Sequence, residues 1–201
     1  MRLVRLATCA LLLVAGSVHA APLDRAVVEM LENFSLPVPN PPNVVVCHGF
    51  GCTYRTLIGL GPRDVKQLQK LMAGAKASPE AERHAIGAVY AWFEQRVAPE
   101  AGTAKAVART SPRYMRDPEQ FDCFDKTHNA TELLALLEHF GLLHHHVIDV
   151  PQSRGVPILL QHTTAVIREK TSGQRWSVDG WTRSNGERPD IFPMEYWAAQ
   201  N

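Results

Sequence analysis

Three side chains of this 201-residue chain, Cys123, His162 and Asp179, have the chemistry and the chain order of a cysteine-dependent acyl-transfer site. A thiolate can attack a carbonyl carbon, and a neighbouring imidazole can accept the thiol proton and return it to the leaving group. A carboxylate on the other side of the imidazole fixes its orientation and its tautomer. The chain must therefore fold so that three distant segments meet at one place.

The first of these residues, Cys123, is predicted to stand at the start of a helix. From this residue onwards, inward-facing positions recur at steps of four and three, and Gly141 is a typical helix stop. The members of this stripe are Cys123, Thr127, Ala130, Leu134 and Leu137. The positive end of a helix dipole and unpaired backbone amides favour the thiolate, so we expect this position to lower the pKa of the thiol.

The other two residues fall in predicted strands. Residues 159–168 and 175–181 have the composition of strands, and residues 171–173, Thr-Ser-Gly, predict a hairpin turn between them. An antiparallel hairpin places Asp179 roughly opposite His162, and cross-strand neighbours have Cβ atoms about 5 Å apart. The carboxylate could then hold one imidazole nitrogen while the other faces the thiol. The register, which the pattern leaves open, decides whether the two side chains share a face.

Helix and strand signals also fill the rest of the chain. Ser78 is the predicted N-cap of a long helix, with Pro79 at its first position and an apolar stripe that ends at Val97. A polar, proline-interrupted segment follows from Pro99 to residue 120. The remaining predicted elements are a helix over 23–34, strands over 44–47, 54–60 and 145–150, and a helix after Gly61-Pro62. This content predicts an α+β domain with helices packed on one side of an antiparallel sheet.

The first 20 residues predict a cleavable signal peptide. Arg2 and Arg5 precede an apolar stretch over 6–15, and small residues follow at Ala20 and Ala21. Residues 21–201 would then form a single domain, in the periplasm or secreted, with 19 basic and 20 acidic residues and a formal charge of −1. A charge so close to zero predicts no nucleic-acid partner. The apolar stretch is too short for a permanent membrane span, so we expect no stable membrane insertion after the signal is removed.

Three cysteines remain after the signal, and they cannot all pair. Cys47 and Cys52 are close enough in sequence to form a disulfide across a glycine-containing turn, worth roughly 2 kcal/mol by loop entropy. Cys123 is then left without a partner in an oxidising compartment. A free thiol in such a compartment suggests a use, although a buried inert cysteine is the competing interpretation.

The segment around these residues resembles the core of the transglutaminase-like cysteine enzymes. The residues that carry the resemblance are Phe121-Asp122-Cys123-Phe124-Asp125, the strand from His162 to Ile167, and Trp176-Ser177-Val178-Asp179-Gly180-Trp181. The resemblance covers about residues 118–182, and the exported bacterial cysteine proteinases are the members nearest in size and location. Thr163 and Thr164 depart from the family, which often has an aromatic residue after the histidine.

That resemblance implies a papain/transglutaminase-like core with Cys123 as nucleophile, His162 as general base and acid, and Asp179 as its orienter. It implies a protein or peptide substrate, cleaved or cross-linked through a thioester, and we expect hydrolysis without a cofactor or a metal. The backbone amide of Cys123, with Tyr114 or Trp92 as a second donor, could stabilise the oxyanion.

Three other interpretations remain open. The tripeptide ending at Cys123 is similar to the nucleophile-helix start of NlpC-type cell-wall peptidases, which cleave peptidoglycan stem peptides. Cys47-His48 with Cys52, and the run of histidines over 144–146, could instead bind zinc or copper. The fold could also be a binding module without catalysis.

Overall fold

The computed structural model describes residues 23–155 and 161–200. The predicted signal peptide, residues 1–20, lies outside the described residues, as does the start of the predicted strand over 159–168. Within the described ranges, no helix combines the length and the apolar composition needed to cross a membrane.

The N-terminal part contains a helix, a two-stranded sheet and a second helix. Helix α1, Arg25–Asn33, begins at Asp24, whose side chain caps it by accepting the amide of Ala26. Strands β1, Asn43–His48, and β2, Tyr54–Gly59, pair antiparallel; Cys47 lies near the end of β1, and Cys52 lies in the turn that joins the strands. Helix α2, Pro62–Leu71, follows at once.

Helix α3, Pro79–Ala101, is longer than the pattern predicts. Ser78 caps its start as expected, since its side chain accepts the amide of Ala81. Its end is not at Pro99, because the helix continues to Ala101 and stops at Gly102, which has a φ of 76°. Proline removes one amide from the last turns, and the burial of Ala98 and Ala101 there offsets that loss.

Helix α4, Cys123–His139, begins at the predicted nucleophile and runs through the centre of the molecule. It packs against β1 of the first sheet and against β4, His162–Glu169, of the second. Nearly every residue from Cys123 to Leu137 is buried, including charged ones, because this helix is covered from several sides. The nucleophile candidate is therefore built into the core at the junction of the two sheets.

The second sheet carries the other candidate residues. It is antiparallel, in the order β3–β4–β5, with β3 at His146–Arg154 and β5 at Arg175–Val178. A five-residue helix, α5, Met194–Ala198, follows near the C-terminus, where the sequence pattern predicts no helix. The chain is thus a mixture of helices and small antiparallel sheets, as predicted for an α+β protein, but with two sheets in the described residues instead of one.

Candidate active site

His162 and Asp179 form a buried pair. His162 opens β4, and Asp179 comes directly after the last residue of β5, Val178, which pairs with Ala165. The Nε2 atom of His162 lies 2.6 Å from Oδ2 of Asp179. A carboxylate only accepts, so Nε2 must carry the proton. The register therefore brings the two predicted residues into direct contact.

The Asp179 carboxylate is held by two tryptophan residues as well. The indole Nε1 of Trp197, on α5, donates to Oδ2 at 2.8 Å, and the backbone amide of Trp181 donates to Oδ1 at 3.2 Å. Its backbone exchanges two hydrogen bonds with Asp190, each 2.9 Å long. These contacts leave the carboxylate little freedom to turn away from His162.

The imidazole of His162 sits among aromatic rings. Its ring centroid is 4.7 Å from that of Trp181 and 5.5 Å from that of Trp197. The second ring nitrogen, Nδ1, is buried and has no hydrogen-bond partner in the part of the chain that the structure describes. Because Nε2 carries the proton, Nδ1 is a free proton acceptor.

Cys123 contacts the backbone just before His162. Its Sγ donates to the backbone carbonyl of Gln161, the residue before His162, at 3.7 Å. The N-cap of α4 is Asp122, whose side chain accepts the amide of Asp125. Thus the thiol occupies the first turn of the helix, as predicted, and contacts the backbone of the residue that precedes His162.

The expected lowering of the thiol pKa is wrong for this structure. Burial, together with the negative charge of Asp122, raises the pKa of Cys123 to about 12. Helix-dipole effects favour the thiolate, but the cost of removing a charged thiolate from water at this buried position outweighs them. The resting thiol is consequently neutral.

Behind Cys123, a covalently closed loop is fixed to the start of α4. The predicted disulfide between Cys47 and Cys52 is confirmed. Asp125 accepts the amides of Phe50 at 2.8 Å and Cys52 at 2.7 Å, and Asp122 accepts the amide of Gly51 at 2.8 Å. Sequence periodicity could not reveal this contact, since the partners are more than 70 positions apart.

Two carboxyl groups therefore meet under the loop. Burial, with the adjacent charge of Asp122, raises the pKa of Asp125 to about 7. Burial likewise raises the pKa of Asp122. The amides of the loop donate hydrogen bonds to these carboxyl groups and offset part of the free-energy cost of burying them. The loop and the first turn of α4 are therefore electrostatically coupled.

At Gly180, between Asp179 and Trp181, the backbone comes very close to a side chain of α3. The sequence does not predict this contact. A Cβ atom on Gly180 would lie 1.8 Å from the hydroxyl of Tyr90, a buried residue of α3. Only glycine lets the chain pass this ring and still present Asp179 to His162. A glycine after the candidate aspartate was the available signal, but its partner lies in a distant helix.

The predicted oxyanion side chains have other contacts. Trp92, on α3, packs against the hydrophobic core. The hydroxyl of Tyr114 accepts a hydrogen bond of 3.0 Å from Arg113. Neither contact involves Cys123, so the backbone amide at the start of α4 is the better-supported donor.

The histidines considered for metal binding have structural partners. His48, the last residue of β1, donates through Nδ1 to the carbonyl of Pro118 at 2.7 Å. His146 is buried, and its Nδ1 donates to Glu82 at 2.7 Å while Nε2 faces Arg83 at 3.2 Å. The described residues contain no group of three or more histidines, cysteines or carboxylates suited to a metal ion.

Neither a family model, nor a curated protein, nor a solved structure matches this chain. The functional evidence is therefore the geometry of Cys123, His162 and Asp179. The order of these residues along the chain and the elements that carry them are added support.

Proposed function

We propose that this protein is an exported, thiol-dependent acyl-transfer enzyme that hydrolyses peptide or side-chain amide bonds. Cys123 is the nucleophile, His162 the general base and acid, and Asp179 the residue that orients His162. The observation that carries the proposal is the buried His162–Asp179 pair, with an unbonded Nδ1, on the residue that follows the thiol's hydrogen-bond acceptor Gln161.

In the proposed reaction the Cys123 thiol turns from the Gln161 carbonyl and gives its proton to Nδ1 of His162. The resulting thiolate attacks the amide carbonyl, and the carbon–sulfur bond forms as the carbonyl oxygen takes up negative charge. When the tetrahedral intermediate collapses, the carbon–nitrogen bond breaks and Nδ1 protonates the leaving amine. Water, deprotonated by the same nitrogen, then attacks the thioester and restores the thiol.

The surroundings of the imidazole support this assignment of roles. Asp179 can only accept a hydrogen bond, so it favours the tautomer with the proton on Nε2 and the lone pair on Nδ1. The indole rings of Trp181 and Trp197 pack beside the imidazole, and both members of the pair are buried. Low polarity strengthens the attraction between the carboxylate and the imidazolium that forms during the reaction.

The identity of the third group bears on the choice between two families of cysteine enzymes. NlpC-type cell-wall peptidases often have a histidine in this position, whereas the third residue here is Asp179, with its oxygen 2.6 Å from His162. This observation favours the transglutaminase-like alternative, with a protein or peptide as substrate. The disulfide between Cys47 and Cys52 is typical of exported proteins and supports a periplasmic or secreted location.

The proposal is tested by the pH dependence of thiol alkylation. The protein is treated with iodoacetamide between about pH 5 and 10, and labelling of Cys123 is followed by peptide mass spectrometry. If His162 takes the thiol proton, the wild-type rate has a plateau near neutral pH. His162→Gln lacks the acceptor, so its rate should rise about tenfold per pH unit without a plateau.

An exposed histidine, His84, supplies the matched control, since His84→Gln removes an imidazole whose hydrogen-bond partner is Arg188. This variant should keep the wild-type profile. Identical profiles for the wild type and His162→Gln would contradict the proposed role of His162. Cys123→Ser should keep the fold and lose turnover of fluorogenic peptides, and unchanged turnover would dismiss Cys123 as nucleophile.

A further inference from the structure

The C-terminal helix α5 contributes directly to the candidate site. Trp197 is 1 % exposed and belongs to a small apolar cluster with Met194 and Val166. Its indole edge reaches Asp179 while its ring packs beside His162. One side chain thus contacts both members of the pair.

The hydrogen bond from Trp197 reaches the same oxygen of Asp179 that accepts from His162. Both Nε1 of Trp197 and Nε2 of His162 donate to Oδ2 of Asp179, at 2.8 Å and 2.6 Å. A carboxylate that lost the indole donor could rotate about its own axis and exchange its oxygens. The imidazole would then be held less firmly, and its tautomer would be less strongly selected.

Arg154 holds α5 against this position. Its Nη1 donates to the backbone carbonyls of Trp197 and Gln200, the latter at 2.6 Å. Its guanidinium carbon also lies 4.5 Å from the centroid of the Trp197 ring. A helix of five residues has little stability alone, so these contacts supply what its own backbone bonds do not.

We infer that Trp197 is a positioning residue, which holds Asp179 in the orientation that fixes His162, and that Arg154 acts by clamping the helix that carries Trp197. This inference rests on the proposed function, because the orientation of His162 matters to turnover only if His162 accepts the proton of Cys123. It adds a residue from the end of the chain to a site otherwise formed by residues 123–179.

The test compares two substitutions that remove the same atoms. Trp197→Phe removes the indole N–H that Asp179 accepts. Trp176→Phe removes an indole N–H that is buried but has no partner among the described residues. In protein with nitrogen-15-labelled histidine, Nε2–H of His162 should give a downfield, slowly exchanging proton signal in the wild type and in Trp176→Phe. We expect exchange to broaden or abolish this signal in Trp197→Phe.

A second readout is the rate of Cys123 alkylation at neutral pH, which should fall about tenfold in Trp197→Phe and less than about twofold in Trp176→Phe. Arg154→Met leaves His162, Asp179 and the indole in place and should change both readouts in the same direction, to a smaller extent. It also keeps the inference falsifiable if Trp197→Phe fails to fold.

Retention of the wild-type proton signal, or of the wild-type alkylation rate, in Trp197→Phe would overturn the inference. Failure of the proposed function looks different, because the wild-type thiol would then show no neutral-pH plateau. In that case the proton signal, which reports the His162–Asp179 bond without any turnover, still decides whether Trp197 positions Asp179.

Discussion

Reduction of the disulfide between Cys47 and Cys52 should loosen the support of α4, the helix that carries the proposed nucleophile. The bond closes a short loop with a sequence separation of 5, and loop-closure entropy gives it a value of about 2 kcal/mol. That free energy corresponds to about a 30-fold change in any equilibrium that opens the loop. Residues 50–52 donate their amides to Asp122 and Asp125, so the same opening removes the donors from both carboxyl groups.

The expected result is measured by hydrogen exchange and urea unfolding, with and without a phosphine reductant. Amides of residues 50–52 should exchange up to about 30-fold faster after reduction, and the urea midpoint should fall by about 1 M. Central amides of α3 are the control, because these carboxylates do not link α3 to the loop. Their exchange rates should change only as much as global unfolding does. If mass spectrometry shows full reduction while residues 50–52 keep their protection, the loop is held by its hydrogen bonds alone and the reasoning is refuted.

Three further predictions concern carboxylates. Glu82 accepts the amides of residues 144–146 and Nδ1 of His146, whereas both oxygens of Glu132 lack a hydrogen bond among the described residues, with Nε2 of His128 3.4 Å from Oε1. Urea unfolding should therefore show a loss of about 3–5 kcal/mol for Glu82→Gln and of less than about 1 kcal/mol for Glu132→Gln, and equal losses would be the contrary result. Burial opposes ionisation of Glu82, but hydrogen bonds from His146 and the backbone outweigh it and lower its pKa. Wild-type stability should thus decline as pH falls below the ordinary value of 4.5, and Glu82→Gln should lack this part of the decline. Asp122→Asn should lower the pKa of Cys123 and speed its alkylation at a given pH, because it removes the negative charge that raises this pKa while an asparagine still caps the helix. An unchanged alkylation rate would argue against that charge effect.

Short-range signals were sufficient to predict the elements that carry the candidate site. The start of α4 at Cys123 follows from the step of the apolar stripe, and the β4–β5 hairpin from strand composition and a turn. The contact between His162 and Asp179 needed one more piece of information, the register, which depends on how the sheet packs against α4.

The missing parts of the site depend on packing between distant segments. Trp197 lies in a helix of five residues, which is too short for a periodic pattern to be distinguished from a loop. The contact between Gly180 and Tyr90 depends on how α3 packs against the residues that follow β5. The sequence of either segment alone does not predict that packing. Positioning residues of this kind are found from contacts, because their own sequence neighbourhood carries no chemical signature.

The raised pKa of Cys123 has a consequence for how the nucleophile is generated. A helix start alone would favour a preformed thiolate, but burial and the charge of Asp122 oppose it, and the thiol donates to the Gln161 carbonyl instead. In the proposed reaction, the thiolate would therefore form together with proton transfer to Nδ1 of His162, since paired charges are better stabilised in an enclosed site than a thiolate alone. Any change that turns the imidazole away from the thiol, even one as remote as the loss of the Trp197 hydrogen bond, should then slow thiolate formation itself.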